Sequence, residues 1–149
     1  MKILGLDFET TGLDTATTRV IEIGAVLWDT DRKMPLELLS CLILHPATDG
    51  VVISKEISEL TGIRIEDVRD HGVPPLQAFQ ALNEVMPRAE YVVAHNGTFF
   101  DKPIYVEEVK RLNIDEVAKS NARPWIDTRF DVASSGDQHT QARTDTSAF

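Results

Sequence analysis

Hydrophobic and polar positions along the chain fall into short runs with two different periods. Residues 2–9, Lys-Ile-Leu-Gly-Leu-Asp-Phe-Glu, are apolar at first and then alternate with acids, the pattern of a buried strand whose end reaches a site. Thr10 to Arg19 is rich in Thr, Gly and Asp and predicts a loop. Val20 to Trp28 predicts a second strand, with Asp29-Thr30-Asp31 as its hairpin turn, and Leu36 to Leu44 a third, stopped by His45-Pro46. Connections this short suit an antiparallel meander.

The period then changes. Ser54 to Leu60 predicts a short helix closed by Thr61-Gly62, and Pro74-Pro75 opens a longer one, with Leu76, Phe79, Leu82 and Val85 on its expected buried face. Tyr91 to Ala94 predicts a fourth strand. A helix is expected from about Asp101 to Leu112, with Tyr105, Val109 and Leu112 on one side. Trp125-Ile126 begins a fifth strand, and Asp127-Thr128 is placed to cap the segment after it. The order β-β-β-α-α-β-α-β predicts an α/β domain with a mixed five-stranded sheet, three strands antiparallel and the rest joined through helices. From Ala133 to Phe149 the pattern fails, because Phe149 is the only large apolar residue there. The expected organisation is a domain at 1–132 followed by a polar tail at 133–149.

Composition changes this picture little. A chain of 149 residues, 42% hydrophobic and 26% charged, is one ordinary globular domain. Its net charge of −9 argues against coating nucleic acid through phosphate contacts. It does not exclude a nuclease, whose metal site is itself built from carboxylates. Cys41 lies inside an apolar run and is expected to behave as a small hydrophobe. The apolar run Ile3 to Leu6 is too short for a signal peptide or a membrane span, so a cytoplasmic protein without a membrane partner is expected.

Candidate chemistry begins at Asp7 and Glu9. Two apart on a strand, their side chains project from one face and repel each other. Leu4, Leu6 and Phe8 around them belong to a buried strand rather than an exposed acidic edge. Such a pair persists where a cation binds or where acid/base work is done. Hydrolysis of a phosphodiester is helped most by two divalent ions roughly 4 Å apart, held by carboxylates from several elements. A third carboxylate is available in His95-Asn96-Gly97-Thr98-Phe99-Phe100-Asp101, where a strand ends and Asp101 heads the next helix. Taken alone, Asp101 reads as a plain helix cap, and His95 tempts as a general base.

Together these segments resemble the DnaQ-like (DEDD) 3′–5′ exonuclease family, which has a ribonuclease H-like fold. Asp7-Phe8-Glu9-Thr10-Thr11-Gly12-Leu13 matches the family's first motif throughout. Ile21 to Val26 is similar to its second strand, Leu60-Thr61-Gly62-Ile63 to its threonine-glycine-isoleucine loop, and Ala94-His95-Asn96 to Asp101 to its second motif. Asp101 falls five residues after Asn96 rather than the commoner four, and with Asn96-Gly97 and Asp101-Lys102-Pro103 this resembles the Trex-type variant.

The resemblance implies that Asp7, Glu9 and Asp101 bind two divalent ions, Mg²⁺ or Mn²⁺, and that Thr10, Thr11, Leu13 and Asn96 contact the substrate. It implies release of nucleoside 5′-monophosphates from single-stranded or frayed 3′ ends of DNA or RNA, with a polymerase or another nucleic-acid enzyme as a candidate partner. The family's third motif is a His with an Asp five residues later, the base and the fourth carboxylate. Here Asp145 is the candidate Asp, but the fifth residue before it is Thr140. His139 lies six before, swung away at about 100° per residue. The two apolar helices that usually precede that motif have no counterpart between Asp127 and His139. Two other readings therefore stand beside the exonuclease: a truncated, catalytically impaired module that binds nucleic acid or a partner, and a ribonuclease H-like endonuclease.

Overall fold

Alternation along the first strand decides how the sheet is covered. The computed structural model describes residues 1–131, and in its first strand, β1 (Lys2–Thr10), Leu4, Leu6 and Phe8 are buried on one face. Ile3, Gly5, Asp7 and Glu9 point to the other. β2 (Val20–Asp29) and β3 (Met34–Leu42) follow as an antiparallel meander. β4 (Tyr91–Ala94) pairs with β1 in parallel, and β5 (Trp125–Asp127) pairs with β4 in parallel. The order is β3-β2-β1-β4-β5, the expected mixed five-stranded sheet with β1 at its centre.

The two edges of β1 are paired over different lengths. Pairing with β2 runs from Lys2 to Thr10, whereas pairing with β4 runs only from Ile3 to Gly5. The second half of β1 therefore overhangs β4, and its backbone groups on that side need other partners.

Among the described residues five α-helices accompany the sheet: α1 (Lys55–Thr61), α2 (Ile65–His71), α3 (Pro75–Val85), α4 (Asp101–Arg111) and α5 (Asp115–Asn121). Ser54 caps α1 by accepting the Ile57 N–H, and Gly62 closes it with φ 76°. Side chains of α3, α4 and α5 share a core with Leu4, Leu6 and Phe8. Phe79 is its hub, with ring centroids 6.0 Å from Phe8 and 6.3 Å from Tyr105. The Tyr105 hydroxyl donates to Asn83 Oδ1 at 2.6 Å, and Asn83 Nδ2 donates to the Phe79 carbonyl at 2.9 Å. A buried amide thus ties α4 to α3 with its polar groups satisfied.

Three local expectations need correction. Leu76 is 42% exposed, while α3 buries Ala78, Phe79, Leu82, Asn83 and Val85. A strict three-residue spacing rotates about 60° per step on a helix of 3.6 residues per turn, so Leu76 and Val85 point to opposite sides. Helices α2 and α5 were not legible because α2 buries only Val68 and α5 only Ala118. β3 spans Met34–Leu42 rather than 36–44, because Leu44 turns away to donate to the Val73 carbonyl. Cys41 is half-buried and packs against the core as a small hydrophobe.

The opposite face of the sheet carries an open groove of about 700 Å³, with Gly5, Asp7, Val26, Leu38, Val93 and His95 along it. Among the described residues no helix is long and apolar enough to cross a membrane. Because Phe79 is fully buried between two rings, Phe79→Ala is expected to cost about 3–5 kcal/mol in urea unfolding. A loss below about 1 kcal/mol would contradict this account of the core.

Candidate functional site

Asp7 and Glu9 stand on the overhanging end of β1, on the groove side of the sheet. Across the antiparallel ladder Asp7 faces Gly24 and Glu9 faces Glu22, so Glu22 joins the same face as a further acid. All three carboxyls titrate above their ordinary range. Asp7 keeps access to solvent, yet the protein around it displaces enough water to raise it. Glu9 is raised by burial and then by the charges of Asp7 and Glu22, and Glu22 by burial and then by Asp7.

The third acid arrives through the loop after β4. Asn96 takes a left-handed conformation (φ 56°), which Asn tolerates better than most residues. Gly97 follows where only glycine fits: a Cβ there would lie 2.5 Å from Ala94 Cβ and 3.3 Å from the Trp125 ring. The Phe100 N–H donates to the Asn96 carbonyl and the Lys102 N–H to the Gly97 carbonyl, so the loop runs directly into α4.

Asp101 is the first residue of α4 and is 3% exposed. It is not the helix cap, a position held by Phe100. Its carboxyl instead accepts a backbone hydrogen bond from Phe8, on the stretch of β1 that β4 leaves unpaired. Oδ1 has no hydrogen-bond partner among the described residues. Burial, then the charge of Asp7, with further contributions from Asp127 and Glu9, pushes the carboxyl up to about 7.

The loop after β1 is held largely by its own hydroxyls. Thr10 Oγ1 donates to the Gly12 carbonyl at 2.9 Å, and Thr11 Oγ1 accepts the Arg19 N–H at 3.0 Å. Leu13 projects from this loop, 87% exposed. Beneath it the fully buried Glu108 accepts from Arg19 Nε at 2.8 Å and Arg111 Nη1 at 2.6 Å, and Arg111 Nη2 donates to the Ala16 carbonyl at 2.8 Å. This ionic staple fastens the loop to α4. Its only sequence signals are Arg111 three residues after Glu108 and Glu108 seven after Asp101, neither of which marks burial.

Asp7, Glu9 and Asp101 are thus brought to one end of the sheet, with Thr10, Thr11 and Leu13 on the adjoining loop and Asn96 on the loop facing it. His95 is exposed in the groove, Nδ1 3.1 Å from Thr128 Oγ1. His139 and Asp145 lie outside the described residues. Asp127, expected to cap the segment after it, does accept the Arg129 N–H at 2.9 Å, but it also lies beneath the 95–98 loop with 1% exposure.

Among the described residues no three Asp, Glu, His or Cys side chains converge closely enough to hold a metal ion as they stand. The buried, unpartnered Oδ1 of Asp101 and the hard oxygen donors around it do fit a divalent cation.

A family model described as exonuclease (RNase_T) matches residues 4–145. The chain belongs to the DnaQ-like exonuclease family. The chain is 32% identical over 131 residues to the PolC-type DNA polymerase III of Thermotoga petrophila, covering 83% of this chain and 8% of the polymerase. Its fold is similar to that of E. coli exonuclease I in complex with a dT13 oligonucleotide (TM-score 0.71, 18% identity, 85% of this chain and 27% of that one). The zinc-ion-bound form of the E. coli exonuclease I–ssDNA complex is also similar (TM-score 0.64, 18% identity, 74% of this chain and 24% of that one). The chain therefore spans a small fraction of the polymerase and about a quarter of exonuclease I.

The position of Asp101 gives a stability test with a defined sign. Its carboxyl ordinarily titrates at 3.8 and here at about 7. Between these values the folded chain holds a proton that the unfolded chain has released, so stability falls as pH rises from 4 to 7. In EDTA, Asp101→Asn is expected to match the parent near pH 4 and exceed it at pH 8 by on the order of 1–3 kcal/mol in urea unfolding. A difference between the two that does not change with pH would contradict the assignment.

Proposed function

We propose that the exonuclease removes nucleotides from single-stranded or frayed 3′ ends of DNA or RNA, releasing nucleoside 5′-monophosphates with the help of two divalent ions, Mg²⁺ or Mn²⁺. The observation that supports this most is the gathering of Asp7, Glu9 and the buried Asp101, whose Oδ1 has no partner among the described residues, at the free end of β1. In this reading Asp7, Glu9 and Asp101 hold the ions, with Asp145 as the candidate fourth carboxylate and His139 as the candidate base. When bound, the ions supply Lewis-acid activation of a water and neutralise charge on the leaving oxygen.

The chain's own groups do the rest. Thr10 and Thr11 have hydroxyls engaged within the loop, so they meet the terminal nucleotide through backbone groups. Leu13, fully projecting, packs against its base. Asn96 contacts the strand from the opposite loop. The net charge of −9 leaves phosphate affinity to the bound cations and to a partner such as a polymerase. Residues 1–132 form the exonuclease domain in this reading.

A second reading rests on Thr140 standing where the family places its histidine: a module that binds metal and single strands without turnover. A 5′-labelled single strand separates the two. The purified chain is expected to shorten it from the 3′ end in Mg²⁺, to stop in EDTA, and to lose at least ~10³-fold in rate with Asp7→Ala. Undiminished activity in Asp7→Ala would refute the site. Binding of Mn²⁺ without shortening of the strand would favour the second reading.

A further inference from the structure

Below the second-motif loop a single carboxylate gathers backbone donors from two segments. Asp127 Oδ1 accepts the Asn96 N–H at 2.9 Å and the Arg129 N–H at 2.9 Å, and Oδ2 accepts the Thr98 N–H at 3.2 Å. The side chain is 1% exposed. Three backbone N–H groups thus converge on one buried side chain, so its hydrogen-bonding capacity is spent on the chain around it. Its own backbone is fixed in turn: the Asp127 N–H donates to Asp131 Oδ2 at 2.8 Å, and the Thr128 N–H donates to the Ala94 carbonyl at 3.0 Å.

We propose that Asp127 is a positioning residue that locks the 95–98 loop so that Asn96 and Asp101 are presented to the site in one geometry. The inference rests on the assignment of Asp101 as a cation ligand. The carboxylate oxygens of Asp127 are engaged by backbone amides of the loop and of its own turn.

The coupling is short and continuous. Asn96 and Thr98, whose amides Asp127 receives, flank Gly97. Asn96 passes the restraint to Phe100 and Gly97 passes it to Lys102 through their carbonyls, and Asp101 lies between those two residues. Position 97 accepts no side chain, since a Cβ there would meet Ala94 and Trp125. Asn96 holds a left-handed backbone that few residues adopt unaided, and its N–H bond to Asp127 restrains it there. An asparagine at 127 would keep one acceptor and turn an NH₂ toward an amide N–H, leaving a buried donor without a partner.

Calorimetric Mn²⁺ titration of the full chain, with urea unfolding alongside, tests this. Asp127→Asn is expected to weaken Mn²⁺ binding roughly 10–100-fold, the range found when groups that orient metal ligands are removed. Arg123→Ala, which removes donors to the Pro87 and Ala89 carbonyls beside β5, is expected to lower stability and leave Mn²⁺ affinity within about twofold. That contrast separates positioning from general support of the fold. Should Asp127→Asn fail to fold, Thr98→Pro deletes the N–H received by Oδ2 and is expected to weaken Mn²⁺ binding in the same direction. Parent-like Mn²⁺ affinity in a folded Asp127→Asn or Thr98→Pro would overturn the inference, as would an equal loss in Arg123→Ala. If the parent chain binds no Mn²⁺, the ligand assignment itself fails and takes this proposal with it.

Discussion

A central strand that outruns its parallel neighbour is the constraint on which the rest of this structure depends. Had β4 paired with β1 as far as β2 does, the Phe8 N–H would have a strand partner and Asp101 would have no place beside Asp7 and Glu9. Because β4 stops at Ala94, the chain must turn there, and the turn delivers the head of α4 to the exposed edge of β1. One unsatisfied backbone donor and one buried carboxylate meet each other's need. The carboxylate's second oxygen is left over, facing other acids, and that surplus is the chemical content of the site.

Such an arrangement costs stability in the absence of a cation and is tolerated because the surroundings are rigid. The Asn83–Tyr105 pair and the Phe8–Phe79–Tyr105 stack fix α4 against the sheet. Glu108, on the same helix as Asp101, fastens the Thr10–Arg19 loop through two arginines. Asp127 fixes the loop on the other side. Each of these buried polar groups is distant from solvent, and each ties a connection to a packed element.

How much of this was legible depends on whether the signal was local. Strand alternation around Leu4, Leu6 and Phe8 showed both the buried face and the acids opposite it, and the Pro74-Pro75 opening and the Thr61-Gly62 stop located helix ends closely. The meeting of Asp101 with Asp7 came from recognising a family motif, since spacing alone made Asp101 an ordinary cap. Helices α2 and α5 escaped because each buries one small contact, too few to set a period. The roles of Asp127 and Glu108 escaped for another reason: their partners lie 29–31 and 89 residues away for the bonds that matter. Nothing in Trp-Ile-Asp-Thr or Glu-Glu-Val announces a partner so distant in sequence.

The central claim is that Asp7, Glu9 and Asp101 form a divalent-cation site at the free end of β1. Anomalous diffraction from crystals of the full chain soaked in Mn²⁺ tests it most directly. The expected result is an anomalous peak touching the carboxylates of Asp7 and Asp101, with Oδ1 of Asp101 drawn onto the ion, and no such peak in crystals of Asp101→Asn. Mn²⁺ bound only elsewhere, or a peak at the same place that survives Asp101→Asn unchanged, would contradict it.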